Sequence, residues 1–148
     1  MNPRAATVEA ENPLTAGLER QPVAASALVI FGATGDLARR KLLPALYNLA
    51  HEGALPEHFH LVGVSRREQR DEDYRRECEQ AIRSFSRRSP DEEVLRSLLE
   101  HVRYVAGTFD EPAAYGTLGG VLDGFDEGAG ERLNRAFYLA TAPEFFSV

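Results

Sequence analysis

A single cysteine, Cys78, excludes an intrachain disulfide, and nothing in the chain calls for an oxidising compartment. No apolar run approaches the roughly 20 residues that a membrane-spanning helix needs. The first 25 residues lack the apolar segment of a signal peptide, and they carry Glu9, Glu11 and Glu19 where a transit peptide avoids acids. A net charge of −6 and the absence of a basic face argue against nucleic acid as a partner. The four histidines, His51, His58, His60 and His101, have neither metal-ligand spacing nor an acid or nucleophile at motif distance, and read as structural or exposed. Lys41 is the only lysine; every other basic side chain is arginine. The expected setting is the cytoplasm, with no membrane contact.

What is present is the composition of a globular domain. The 148 residues are 43% hydrophobic and 27% charged, enough for one domain with a real core. Residues 1–25, broken by Asn2-Pro3 and Asn12-Pro13, read as a flexible N-terminal extension. Leu14 and Leu18 could dock on a neighbour, although nothing in the sequence requires it.

The stretch from Ala27 to Leu49 organises the rest. Leu28-Val29-Ile30-Phe31 is short and apolar, as in a fully buried strand. Gly32-Ala33-Thr34-Gly35 then makes a turn, and a helix follows with Leu42, Leu46, Leu49 and Ala50 on one stripe. Strand, glycine turn and helix in that order form a phosphate site: backbone N–H groups approach an anion closely, and the helix N-terminus adds partial positive charge. The pattern is Gly32-x-x-Gly35-x-x-Ala38, one glycine short of the dinucleotide fingerprint, with Ala38 at the close helix-to-strand packing position. Without its context the pattern is weak, and an ordinary β-α turn is the bland alternative. No Gly-Lys-Ser/Thr ends the turn, so the P-loop is excluded.

Pro44 predicts a short turn over Asp36 to Arg40, a break, and a main helix from about Leu42 to Glu52 capped by Gly53. Phe59 to Val64 reads as the second strand. Ser65, Arg66 and Arg67 follow it, where a dinucleotide fold meets the adenosine ribose. No acid stands there to take the hydroxyls of NAD, so the local chemistry favours the 2′-phosphate of NADP on Arg66. Two solvated loop arginines are the alternative. A helix from about Glu72 to Ser86 carries Tyr74, Cys78, Ala81, Ile82 and Phe85 on one side, Cys78 reading as a core residue. Ser89 reads as the cap of a third helix, with Pro90 at its first position and Glu92 completing a capping box. His101 to Ala106 is the third strand, and its end puts Thr108 and Phe109 beside the adenosine. A helix starting at Asp110-Glu111-Pro112 carries Ala114, Tyr115, Leu118 and Leu122; Asp123 to Glu131, rich in glycine, reads as a flexible loop. Ala136 to Ala140 is the fourth strand, and Glu144-Phe145-Phe146 the first turn of another helix. Alternating strands and helices of this kind give an α/β fold: a partial Rossmann-type, doubly wound, mainly parallel sheet in the order 3-2-1-4, over residues 26–148.

Gly32-Ala33-Thr34-Gly35-Asp36-Leu37-Ala38-Arg39-Arg40-Lys41-Leu42-Leu43-Pro44 closely resembles the coenzyme-binding signature of glucose-6-phosphate dehydrogenases. The resemblance continues through Leu61-Val62-Gly63-Val64-Ser65-Arg66 and reaches Phe137 to Phe146, where Ala-Pro-Glu-Phe-Phe is bacterial-like. It implies an enzyme that oxidises glucose 6-phosphate at C1 to the phosphogluconolactone, passing hydride to a nicotinamide. It implies that Gly32, Ala33, Thr34, Gly35, Asp36, Leu37, Ala38 and Arg39 hold the pyrophosphate and Arg66 the NADP phosphate, although many family members also accept NAD. Lys41 falls near the sugar phosphate or reacting centre by the same resemblance, against the alternative of a solvated cation. Phe146 stands where some members have a tyrosine beside the nicotinamide. The family's fifth strand and its large domain, with the His and Asp that take the C1 hydroxyl proton, are missing from this sequence. The chain by itself is therefore expected to be inactive, and a homo-oligomer is expected only with the missing domain. A non-catalytic NADP-binding or interaction module is the alternative. An unrelated reductase would need a Tyr-x-x-x-Lys pair, and there is none.

Overall fold

Strand-forming runs alternate with amphipathic helices, and the computed structural model, which describes residues 25–108 and 110–140, assembles them into a parallel sheet. Strand β1 (Ser26–Phe31) lies between β2 (Phe59–Ser65) and β4 (Asn134–Leu139), with β3 (Val102–Ala106) outside β2. The order is 3-2-1-4, as the sequence predicts. Phe31 stands opposite Val64 on one side and Leu139 on the other, so the carboxyl ends of the strands reach one edge together.

Side-chain alternation along β1 divides the core into two. Ile30 joins Leu61, Tyr74, Cys78, Ile82 and Leu95 on the face covered by helices α1 (Leu43–His51), α2 (Asp71–Phe85) and α3 (Glu92–Leu99). Val29 and Phe31 join Val62, Val64, Leu118, Leu122 and Phe125 on the other face, under α4 (Pro112–Ala129). The sheet is therefore doubly wound. Helix α4 carries the chain across to β4 on the far side of β1, so strand order reverses between β1 and β4, the position where such sheets bind ligands. Among the described residues β4 pairs on one side only, and Phe137 remains 55% exposed.

Several local expectations change. The chain turns helical at Asp36 without a break: a π-type turn, Ala38–Leu42, runs straight into α1. Pro44 cannot donate to a carbonyl one turn back and its ring crowds that carbonyl in a regular ladder. The wider turn just before it, closed by the Leu43 N–H on the Ala38 carbonyl five residues back, relieves both problems. The buried stripe of α1 is Leu43, Leu46 and Tyr47, while Leu49 is 40% exposed. Tyr47 can be buried because its hydroxyl accepts the Asp91 N–H at 2.6 Å. Asp91, not Ser89, caps α3: its carboxylate takes the N–H groups of Glu93 and Val94 at 2.9 and 3.2 Å.

The glycine-rich stretch Asp123 to Ala129 is helix, not loop, because it continues α4. Ala114, Leu118, Leu122 and Phe125 keep one stripe buried through it, and that packing outweighs the roughly 1 kcal/mol each helical glycine costs. The helix stops at Gly130, whose φ of 75° is left-handed. As expected, Gly53 follows α1 with φ 73°, and Cys78 is a buried core residue. No described helix is long and apolar enough to cross a membrane. Residues 1–24, Phe109 and residues 141–148 lie outside the described residues, and with them the expected extension and the turn at Glu144 to Phe146.

Candidate cofactor-binding site

The turn after β1 is shaped by Gly32, whose φ of 81° is left-handed and suits a residue without Cβ. Its N–H and that of Ala33 both donate to the Val64 carbonyl, at 2.9 and 3.1 Å, which folds the turn back onto β2. Gly35 donates to the Gly32 carbonyl at 3.1 Å, and Arg39 to the Gly35 carbonyl at 3.1 Å, which starts the helix. The N–H groups of Asp36, Leu37 and Ala38 therefore have no acceptor within the helix. These three are the donors available to an anion; Gly32 and Ala33 act by setting the shape. A Cβ on Gly35 would lie 3.4 Å from the Gly32 carbonyl oxygen and 3.9 Å from that of Ala140, ordinary contacts. The fold does not itself demand a glycine there.

Ala33 and Ala38 are fully buried, both in the core cluster with Ile30 of β1. Asp36 is exposed, 4.0 Å from an Arg39 nitrogen and 3.9 Å from one of Arg40. The Arg40 guanidinium also lies over the Phe85 ring, 4.9 Å from its centroid, which turns it toward α2. Leu37, 41% exposed, and Lys41 face solvent.

The second wall is the end of β2. The Thr34 hydroxyl is 2.8 Å from that of Ser65, so the phosphate turn and the strand end are joined directly. Arg67 is drawn aside into an ion pair with Glu77. Arg66 is exposed and makes no ion pair among the described residues, leaving its planar fork of donors open. Close approach also shapes the strand: a Cβ on Gly63 would fall 2.5 Å from the buried Tyr74 ring. The Tyr74 hydroxyl reaches the Ala33 carbonyl at 3.4 Å, beneath the turn.

Thr108 lies just past β3 on the same edge. Its N–H donates to Glu111 Oε1 at 2.7 Å, and its hydroxyl bonds Asp110 and lies 3.1 Å from Glu111 Oε1. It is thus engaged locally at the start of α4. Phe109 and Phe146, the other expected cofactor neighbours, are outside the described residues. Tyr104 was not legible as a site residue: it belongs to no motif, and its hydroxyl reaches carbonyls 39 and 37 residues away in sequence. Ser65 was legible at the strand end, but its contact with Thr34, 31 residues away, was not.

Concavity and chemistry disagree on location. A cleft of about 480 Å³, lined by Leu55, Phe59, Val94, Leu98 and His101 among others, opens at the opposite edge of the sheet. We favour the carboxyl edge, because a pyrophosphate is held by backbone donors and a helix N-terminus, which need no enclosed cavity. Cys78 is no competitor as a nucleophile: burial pushes its thiol up to about 12. Among the described residues no group of His, Cys, Asp and Glu could hold a metal ion.

Residues 29–148 match the family model described as glucose-6-phosphate dehydrogenase, NAD binding domain. A glucose-6-phosphate 1-dehydrogenase of Chlamydia muridarum is 47% identical over 120 residues, covering 80% of this chain and 24% of that protein. A glucose-6-phosphate 1-dehydrogenase 2 of Mycobacterium bovis is 41% identical over 121 residues, covering 82% and 24%. The chain thus spans about a quarter of the length of these relatives. Among solved structures, a glucose-6-phosphate dehydrogenase in complex with its substrate glucose 6-phosphate superposes with a TM-score of 0.73 at 30% identity, over 85% of this chain and 26% of that one.

Proposed function

The chain belongs to the glucose-6-phosphate dehydrogenase family, whose NAD-binding domain it matches, and from that premise we propose that it is the NADP-holding part of such an enzyme. The observation that carries the choice of NADP is Arg66: an open guanidinium at the end of β2, with its neighbour Arg67 drawn away by Glu77 and no acid at the strand end. The residues present fit a dinucleotide. The left-handed Gly32, the small Gly35 and the free N–H groups of Asp36 to Ala38 suit a pyrophosphate, with Thr34 and Arg39 beside them. Thr108, Phe109 and Phe146 complete the proposed cofactor contacts. NAD remains a second ligand of the same site.

When bound, the nicotinamide accepts a hydride. In the whole enzyme we propose that the hydride comes from C1 of glucose 6-phosphate, giving the 6-phosphogluconolactone, in the cytoplasm. Lys41, exposed one turn beyond the phosphate-binding N–H groups, is our candidate for a contact on the sugar-phosphate side. Residues 26–148 are then the NAD(P)-binding part of such an enzyme. The test is Arg66→Ala, titrated calorimetrically with both cofactors. Binding of NADP should weaken about 10-fold or more, as for a lost charge-assisted contact, with NAD unchanged. Equal affinities of variant and native chain for NADP would overturn the assignment.

A further inference from the structure

The loop that carries Arg66 is clamped from β3. The hydroxyl of Tyr104 lies 3.1 Å from the Ser65 carbonyl oxygen and 2.5 Å from that of Arg67, so it bridges the carbonyls on either side of Arg66. The clamp is itself held. The Tyr104 ring packs against Tyr74 with centroids 5.1 Å apart, and its backbone N–H donates to Asp71 Oδ1 at 2.8 Å, at the start of α2. Tyr104 is 8% exposed. The Ser65 carbonyl also receives the Gly107 N–H at 2.7 Å. A surface arginine loses considerable freedom when it binds a phosphate, and a backbone fixed beforehand lowers that cost.

We propose that Tyr104 is a positioning residue for Arg66: its hydroxyl fixes the Ser65–Arg67 backbone so that the Arg66 guanidinium is aimed at the 2′-phosphate, and it thereby contributes to the preference for NADP over NAD. This rests on the reading that Arg66 meets that phosphate. Tyr104 touches no part of the cofactor in this account and acts only through the loop.

The test uses Tyr104→Phe, which keeps the ring and its packing and removes only the hydroxyl, together with Arg66→Ala and the double variant, all in the full chain. NADP affinity should fall about five-fold in Tyr104→Phe, the size of one lost hydrogen bond, with NAD affinity unchanged. In the Arg66→Ala background the same change should have no further effect. Without cofactor, amide exchange at Arg66 and Arg67 should quicken. If Arg66→Ala weakens NADP but Tyr104→Phe does not, or if Tyr104→Phe weakens NADP and NAD alike, the positioning role is overturned while the cofactor reading stands. If Arg66→Ala leaves NADP binding unaltered, the cofactor reading fails. Unaltered amide exchange at Arg66 and Arg67 overturns the clamp in either case.

Discussion

The Thr34 hydroxyl meets the Ser65 hydroxyl at 2.8 Å, and through this contact the glycine turn after the first strand is fixed to the end of the second. In the proposed reading, the turn that would take the pyrophosphate and the strand end that would take the 2′-phosphate are therefore joined by a direct side-chain contact.

The two glycines of the turn should fail differently. At Gly32 the φ of 81° makes any L side chain strained, so Gly32→Ala should lower stability by about 1–2 kcal/mol. At Gly35 a Cβ makes only ordinary contacts, so Gly35→Ala should change stability by less than about 1 kcal/mol. On the proposed reading it should weaken NADP binding strongly, because the methyl would stand where the backbone approaches the pyrophosphate. Urea unfolding and calorimetric titration of the two variants separate the effects.

The start of α3 offers a second contrast. Asp91→Ala removes both side-chain caps and should cost about 1 kcal/mol, measured as a lower urea midpoint. Ser89→Ala should be nearly neutral, because Ser89 lies outside the helix and is exposed.

Acid should act through His60. Burial first, and then the positive charge of His101, Arg103 and His58, bring its imidazole down from 6.5 to about 4. The unfolded chain takes up this proton near pH 6.5 and the folded chain only near 4. The contribution is therefore fully present above pH 6.5 and is lost as the pH falls from there to about 4. The ring is partly solvated, so the loss should be only about 1 kcal/mol. His60→Phe keeps the stacking on Phe125, whose ring centroid is 4.0 Å away, and should show a shallower fall in urea midpoint across that window than the native chain.

The parts of this fold that were legible in the sequence are those encoded over a few adjacent residues. Leu28 to Phe31 declared a buried strand and Gly32 and Gly35 the turn. The misreadings came where a distant partner decides. The expected stripe of Leu42, Leu46, Leu49 and Ala50 passes over Tyr47, which is buried because its hydroxyl accepts the Asp91 N–H from 44 residues away. Asp123 to Ala129 reads as a loop by its glycines, yet Phe125 packs under the sheet and holds the segment helical. The π-type turn before Pro44 is a third case: the sequence signals the conflict at proline, while the resolution, widening instead of breaking, depends on Leu43 and Leu46 staying in the core. The links from Thr34 to Ser65 and from Tyr104 across Arg66 carry no local pattern at all.

Whether the carboxyl edge of the sheet holds the cofactor is read out by titrating NADP into isotope-labelled chain and following each backbone amide by NMR. The largest shifts are expected at Gly35, Asp36, Leu37 and Ala38 and at Ser65 to Arg67, with little change around Phe59 and Val94. Shifts centred instead on Leu55, Phe59, Val94 and His101, the cleft at the opposite edge, would contradict that placement.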